Sequence, residues 1–139
     1  MKNNCYLSFL FLILSISAFS QSNTTAIDSI KRVLAVVKSD TARVNTLNSI
    51  ADKYKESNPD STAFYAVKAT NLARKTNYNF GLANAYINSG NSNIILGNYR
   101  QANQYFEKAQ AVFETLLKAD SKIEIKRIQN GLARAFASQ

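Results

Sequence analysis

Ala102, Tyr105, Phe106 and Ala109 fall at i, i+3, i+4 and i+7, one stripe of an α-helix that opens just after Gly97-Asn98. A stripe that alternates methyl groups with aromatic rings restricts its neighbours sharply. The alanines let a second helix backbone come close, and the rings fill the space beside the approach. Gly97-Asn98 is a turn by composition, so the residues before it must supply that second helix. A tight antiparallel helix pair follows.

The rest of the chain repeats the theme. Ile27, Ile30, Leu34 and Val37 share a helical stripe, with Asp28 three residues after Thr25 as a weak capping box. Ser39-Asp40-Thr41 ends that helix and can cap the next, where Val44, Leu47, Ile50, Ala51 and Tyr54 share a face. Ser57-Asn58-Pro59-Asp60 is a turn, with Asp60 placed to cap a third helix that buries Ala63, Ala66, Ala69, Leu72 and Ala73. Asn77 to Gly81 breaks the pattern before a fourth helix ending near Leu96. The fifth helix extends its stripe through Val112, Phe113, Leu116 and Leu117. A sixth carries Ile125, Ile128, Leu132, Ala135 and Phe136 on one side. No segment alternates like a strand, and 4 Gly and 1 Pro in 139 residues suit an all-α domain.

At the N-terminus a basic Lys2 precedes the apolar run Cys5 to Phe19, and the small-x-small triplet Ala18-Phe19-Ser20 follows. These are the parts of a signal peptide, expected over residues 1–20. Three serines interrupt the run, which is short for a membrane anchor. Cleavage removes Cys5, the single cysteine, so the exported domain must hold together by packing alone. No stable membrane span is expected after cleavage, and the location is periplasmic or secreted. The net charge of +8 suits an anionic surface or an acidic partner. Export makes nucleic acid the weakest of the basic-surface readings, and none is expected as a partner.

The helix pairs recur. Tyr65 and Tyr105 correspond, as do Ala69 and Ala109, each pair 40 residues apart. Tyr86, Gly90, Gly97, Tyr99, Ala102, Phe106 and Ala109 together resemble the tetratricopeptide repeat (TPR). On that pattern Tyr86 takes the first aromatic place of helix A and Gly90 its small place. Gly97 takes the turn, Ala102 and Phe106 the Ala-x3-Phe pair of helix B, and Ala109 the last small place. Ser89 and Asn93 depart from the usual Leu and Tyr. The first helix B fits as Ala63-x3-Val67 or as Thr62-x3-Ala66 followed by Ala69. The 40-residue spacing exceeds the usual period of about 34, so each pair is extended. The resemblance implies antiparallel helix hairpins stacked as a short right-handed solenoid. A capping helix over 24–38 precedes a domain over 40–139, with repeats at 41–76, 80–118 and 121–139.

The resemblance also implies a concave groove lined by helices A. Carried over residue by residue, it gives Asn45, Asn48 and Asp52 in the first repeat and Asn84, Asn88 and Asn91 in the second. In the third it gives Arg127, Asn130 and Arg134. Asparagine is a poor helix former, so three along one face need a reason. A carboxamide both donates and accepts, which suits the backbone of a bound extended chain. Arginines at one end could hold a carboxylate.

Catalytic chemistry finds little footing. The chain has no histidine, and without Cys5 no thiol, so the usual general base and soft metal ligands are missing. Asp52 and Glu56 form an i, i+4 pair flanked by Lys53 and Lys55, which reads as a solvated face. No phosphate-binding glycine loop or nucleophile elbow appears. The expectation is a non-catalytic module, with no cofactor or metal, that binds a protein or peptide segment. Long repeats behind a signal peptide resemble the sensory front ends of bacterial signalling proteins. The competing classes are a self-association scaffold and a basic binder of polyanions. The last helix lacks a helix B partner, so Ala133 and Phe136 leave an apolar edge on which a weak homodimer could close.

Overall fold

Caps and turns set the helix limits. A computed structural model describes residues 25–119, 129–131 and 133. It contains helices α1 (residues 25–36), α2 (Asp40–Tyr54), α3 (Pro59–Lys75), α4 (Asn79–Ile95) and α5 (Tyr99–Ala119). Residues 129–131 and 133 are also helical, and no strand occurs among the described residues. The signal-type segment 1–20 lies outside the described residues, as do Ile125, Ile128, Leu132, Ala135 and Phe136 of the sixth stripe.

Ser39 caps α2 with its side chain, which accepts the Ala42 N–H at 3.4 Å. At α3 the sequence points to Asp60, but Asn58 is the cap, accepting the Ser61 N–H at 2.8 Å. Pro59 explains the shift. Its fixed φ and missing N–H suit the first helical position, so the cap falls to the residue before it. Asp60 then lies in the first turn, where its charge meets the positive end of the helix.

Helices α3 and α4 stop by one device. Asn77 (φ 53°) and Gly97 (φ 77°) adopt the left-handed conformation that these residue types tolerate. Each lets the next N–H reach back, Tyr78 to the Ala73 carbonyl at 2.9 Å and Asn98 to the Asn93 carbonyl at 2.8 Å. Helix α4 therefore starts at Asn79, and the break expected over Asn77 to Gly81 closes to residues 76–78.

The two hairpins repeat with their sizes exchanged. Thr62, Ala66, Ala69 and Ala73 of α3 stand 40 residues before Ala102, Phe106, Ala109 and Phe113 of α5, and all are buried. Val67 is 52% exposed, so the first helix B follows Thr62-x3-Ala66 rather than Ala63-x3-Val67. The Thr62 hydroxyl lies within reach of the Ala51 carbonyl (3.3 Å) across the hairpin and the Asn58 carbonyl (3.1 Å) in its own first turn. In the first pair helix A carries the large residue, Ile50, and helix B the small one, Ala66. In the second pair helix A has Gly90 and helix B has Phe106 at the equivalent places. A Cβ on Gly90 would lie 2.6 Å from Phe106 Cζ, closer than packed atoms allow. Swapping bulk between partners keeps the total volume while changing which helix supplies it.

From α2 to α5 consecutive helices pack on one another, and α2 also touches α4. Phe106 and Phe113 centre a cluster with Ala83, Tyr86, Ile87, Ala102 and Ala109. A second cluster joins Leu47, Ala69 and Ala85, with Leu34 of α1 packed against it. Lys31 of α1 donates to the Tyr54 hydroxyl of α2 at 3.0 Å, and that bond raises the Lys31 pKa above its ordinary value. Gly131 meets the ring of Phe113, where a Cβ would lie 2.7 Å from Cε1, so the last described helical residues rest on α5. The architecture is a TPR-like all-α solenoid of antiparallel hairpins.

Candidate functional site

Helices α2 and α4 hold the places expected of helices A, and they pack against each other. An open cleft of about 250 Å³ lies between them, lined by Asn45, Asn48, Ser49, Asp52, Asn84 and Asn88. Three residues come from the first repeat's expected groove set and two from the second's. Asn91, on the same line of α4, is half-buried and does not line the cleft. Asn130 is exposed on helical backbone, while Arg127 and Arg134 lie outside the described residues.

The asparagines do different work. Asn48 is 8% exposed and donates from Nδ2 to the Gly81 carbonyl at 2.9 Å. Asn88 is 2% exposed and donates from Nδ2 to the Asn48 carbonyl at 3.1 Å, with Asn48 Oδ1 at 3.4 Å. These bonds tie α2 to α4 across the floor of the cleft. Asn84 donates to the Phe80 carbonyl one turn back at 2.9 Å, so its side chain lies along its own helix. At the rim Asn45 Oδ1 accepts from the Tyr78 hydroxyl at 3.0 Å. Asp52 is the one charged lining residue, and Lys55 stands 3.4 Å away in a partly exposed i, i+3 pair. The buried Asn88 Oδ1 has no hydrogen-bond partner among the described residues.

Sequence reasoning placed Gly81 in a break and did not single out Ser49 or Tyr78 for the cleft. Gly81 is instead buried in the first turn of α4, where a Cβ would lie 2.5 Å from Val44 Cγ1. That absence of a side chain brings α4 close enough for the Asn48 bond. A glycine inside a helical pattern marks such an approach.

The repeat-packing residues separate into core and surface. Tyr86 is buried, accepts from Arg74 Nη2 at 2.8 Å, and has its ring centroid 6.2 Å from that of Tyr105. Gly90, Ala102, Phe106 and Ala109 lie in the α4–α5 interface, and Gly97 makes the turn. Tyr99 differs from the packing role expected of it. It is 67% exposed, because the helix begins at this residue and turns its ring outward. It lines a shallow depression of about 530 Å³ with Gly97, Asn98, Arg100, Gln101 and Gln104, all of them exposed. The α2–α4 cleft, in contrast, has a built floor of buried polar groups.

Among the described residues no group of His, Cys, Asp or Glu side chains could hold a metal ion. No described helix is long and apolar enough to cross a membrane. No curated protein and no solved structure matches the chain significantly. A family model described as the SusR N-terminal TPR domain matches residues 13–122. TPR domains are generally non-catalytic repeat modules that serve protein interaction. The match takes in α1 through α5 and most of the sequence, so the chain belongs to the SusR N-terminal TPR domain family.

Proposed function

We propose that this chain is the exported front end of a signalling protein and that it binds a protein or peptide segment in the α2–α4 cleft. The observation that carries the reading is the convergence of Asn45, Asn48, Asp52, Asn84 and Asn88 on one cleft between successive helices A. The family's description as an N-terminal domain supports a position ahead of further modules. Lys2, the apolar run and Ala18-Phe19-Ser20 support export, with the mature chain beginning at Gln21. An extended segment lying along α2 and α4 would cross polar side chains whose spacing follows the helix repeat. The polyanion reading draws no support from this cleft, whose charged lining residue is an aspartate.

Selection of random peptides on the 139-residue chain, followed by NMR mapping of the selected sequences, tests the site. Selected peptides should shift resonances of Asn45, Asn48, Asp52 and Asn84. Peptides that instead perturb only the outward faces of α3 and α5 would overturn the groove reading. N-terminal sequencing of exported material tests the other half, and retention of Met1 would remove the export argument.

A further inference from the structure

Resting on that groove reading, we infer that the cleft selects a basic side chain, Lys or Arg, on the bound segment. The reasoning begins with the direction of its hydrogen bonds. Asn48, Asn84 and Asn88 each give an amide N–H to a backbone carbonyl, those of Gly81, Phe80 and Asn48 respectively. A carbonyl only accepts, so flipping any of these carboxamides would set oxygen against oxygen. Their orientations are therefore fixed by chemistry, and each commits at least one amide N–H inside the protein.

What the cleft offers an occupant is acceptors. Asn88 Oδ1 at the floor is buried and has no hydrogen-bond partner among the described residues, so its desolvation is not offset there. Its unpaired dipole adds negative potential at the base of the cleft, and the Asp52 carboxylate adds charge at the side. An ammonium brings three donors and a guanidinium five, and either matches that set. A carboxylate brings acceptors to acceptors. The cavity of about 250 Å³ falls below the ~300–1,000 Å³ of most small-molecule sites, which suits the end of one side chain. Lys55 competes for Asp52, but their pair is partly exposed at 3.4 Å, so a cation held inside the cleft can exchange with it. An acceptor-lined cleft on a chain of net charge +8 also sets the occupant apart from the partners that the overall charge attracts.

The test titrates the isotope-labelled 139-residue chain with heptapeptides that are identical except for a central Lys, Arg, Gln or Glu. The Lys or Arg peptide should bind at least about tenfold more tightly than the Glu and Gln peptides, shifting the side-chain amide signals of Asn48 and Asn88. D52N, at a partly exposed helix position, should keep the helical spectrum and erase most of that preference. Equal binding of all four peptides at the cleft would overturn the basic-side-chain inference and leave the groove reading standing. Preference for Glu, or an unchanged preference in D52N, would also overturn it. Binding of none of the four, or binding only outside α2 and α4, would sink both.

Discussion

Gly90→Ala is the sharpest probe of how the second hairpin closes. In an exposed helix interior the change would stabilise by about 1 kcal/mol, because alanine is the better helix former. Here the added Cβ would stand 2.6 Å from Cζ and 2.8 Å from Cδ1 of Phe106, a ring with no solvent exposure. The ring is held within the cluster of Tyr86, Ile87 and Phe113 and cannot swing away cheaply. Overpacking of this kind costs roughly 1–3 kcal/mol, and contact with several ring atoms puts it at the upper end. The expected net is a loss of about 1–2 kcal/mol, or a fall in Tm on the order of 10 °C for a domain of this size. Urea unfolding followed by circular dichroism gives the number, and a cycle with Phe106→Leu tests its cause. In the Phe106→Leu background the same alanine should be neutral or stabilising, a coupling of about 2 kcal/mol. If Gly90→Ala stabilises the native chain, or costs the same in both backgrounds, helices α4 and α5 do not meet at these two residues.

Phe106→Ala should cost about 3–5 kcal/mol by opening a cavity, enough to unfold much of a domain of ordinary stability, as a melting curve would show. Asn77→Ala should cost about 1–2 kcal/mol by thermal melting, since φ 53° favours a residue at ease in the left-handed region. Asn88→Ala should lower stability by about 1–3 kcal/mol because it removes the bond to α2 at a buried site, whereas Asn84→Ala should change it little. Lys31 has a raised pKa through its bond to Tyr54, so whatever the bond contributes is present below the unfolded value of 10.5 and fades as pH rises through the folded value. Native and Lys31→Met chains should then differ most at neutral pH and converge in strong alkali.

Much of the fold was legible because helical periodicity and turn chemistry are local. The stripe Val44, Leu47, Ile50 and Ala51 is buried as its spacing requires, and Gly97 turns the chain where its neighbours say it must. Misreadings arose where two local signals competed. Asp60 and Asn58 are both good caps, and only the fixed φ of Pro59 decides between them. Tyr99 belongs to the repeat-packing set, yet its position at the start of α5 leaves it exposed. Gly81 reads as a breaker beside Asn77 and Asn79, and its helical role depends on Val44 some 37 residues earlier. No window of sequence contains that contact.

The cleft shows the same limit in chemical form. Spacing alone puts Asn84 and Asn88 one turn apart on α4 and Asn48 forty residues before Asn88, but it treats every carboxamide as equally ready to donate and accept. The tertiary fold breaks that equivalence. Once Gly81 brings α4 against α2, the Gly81 and Asn48 carbonyls face asparagines, and each captures an amide N–H. Asn84 loses its donor to a carbonyl of its own helix. A surface that looks neutral and reversible in sequence thus becomes polarised, with amide donors of Asn48 and Asn88 committed to holding two repeats together and an acceptor at Asn88 without a partner among the described residues. The residues that align the repeats therefore also determine what the cleft can accept. A substitution at Asn48 or Asn88 should alter stability and ligand preference together, whereas one at Asp52 should alter preference alone.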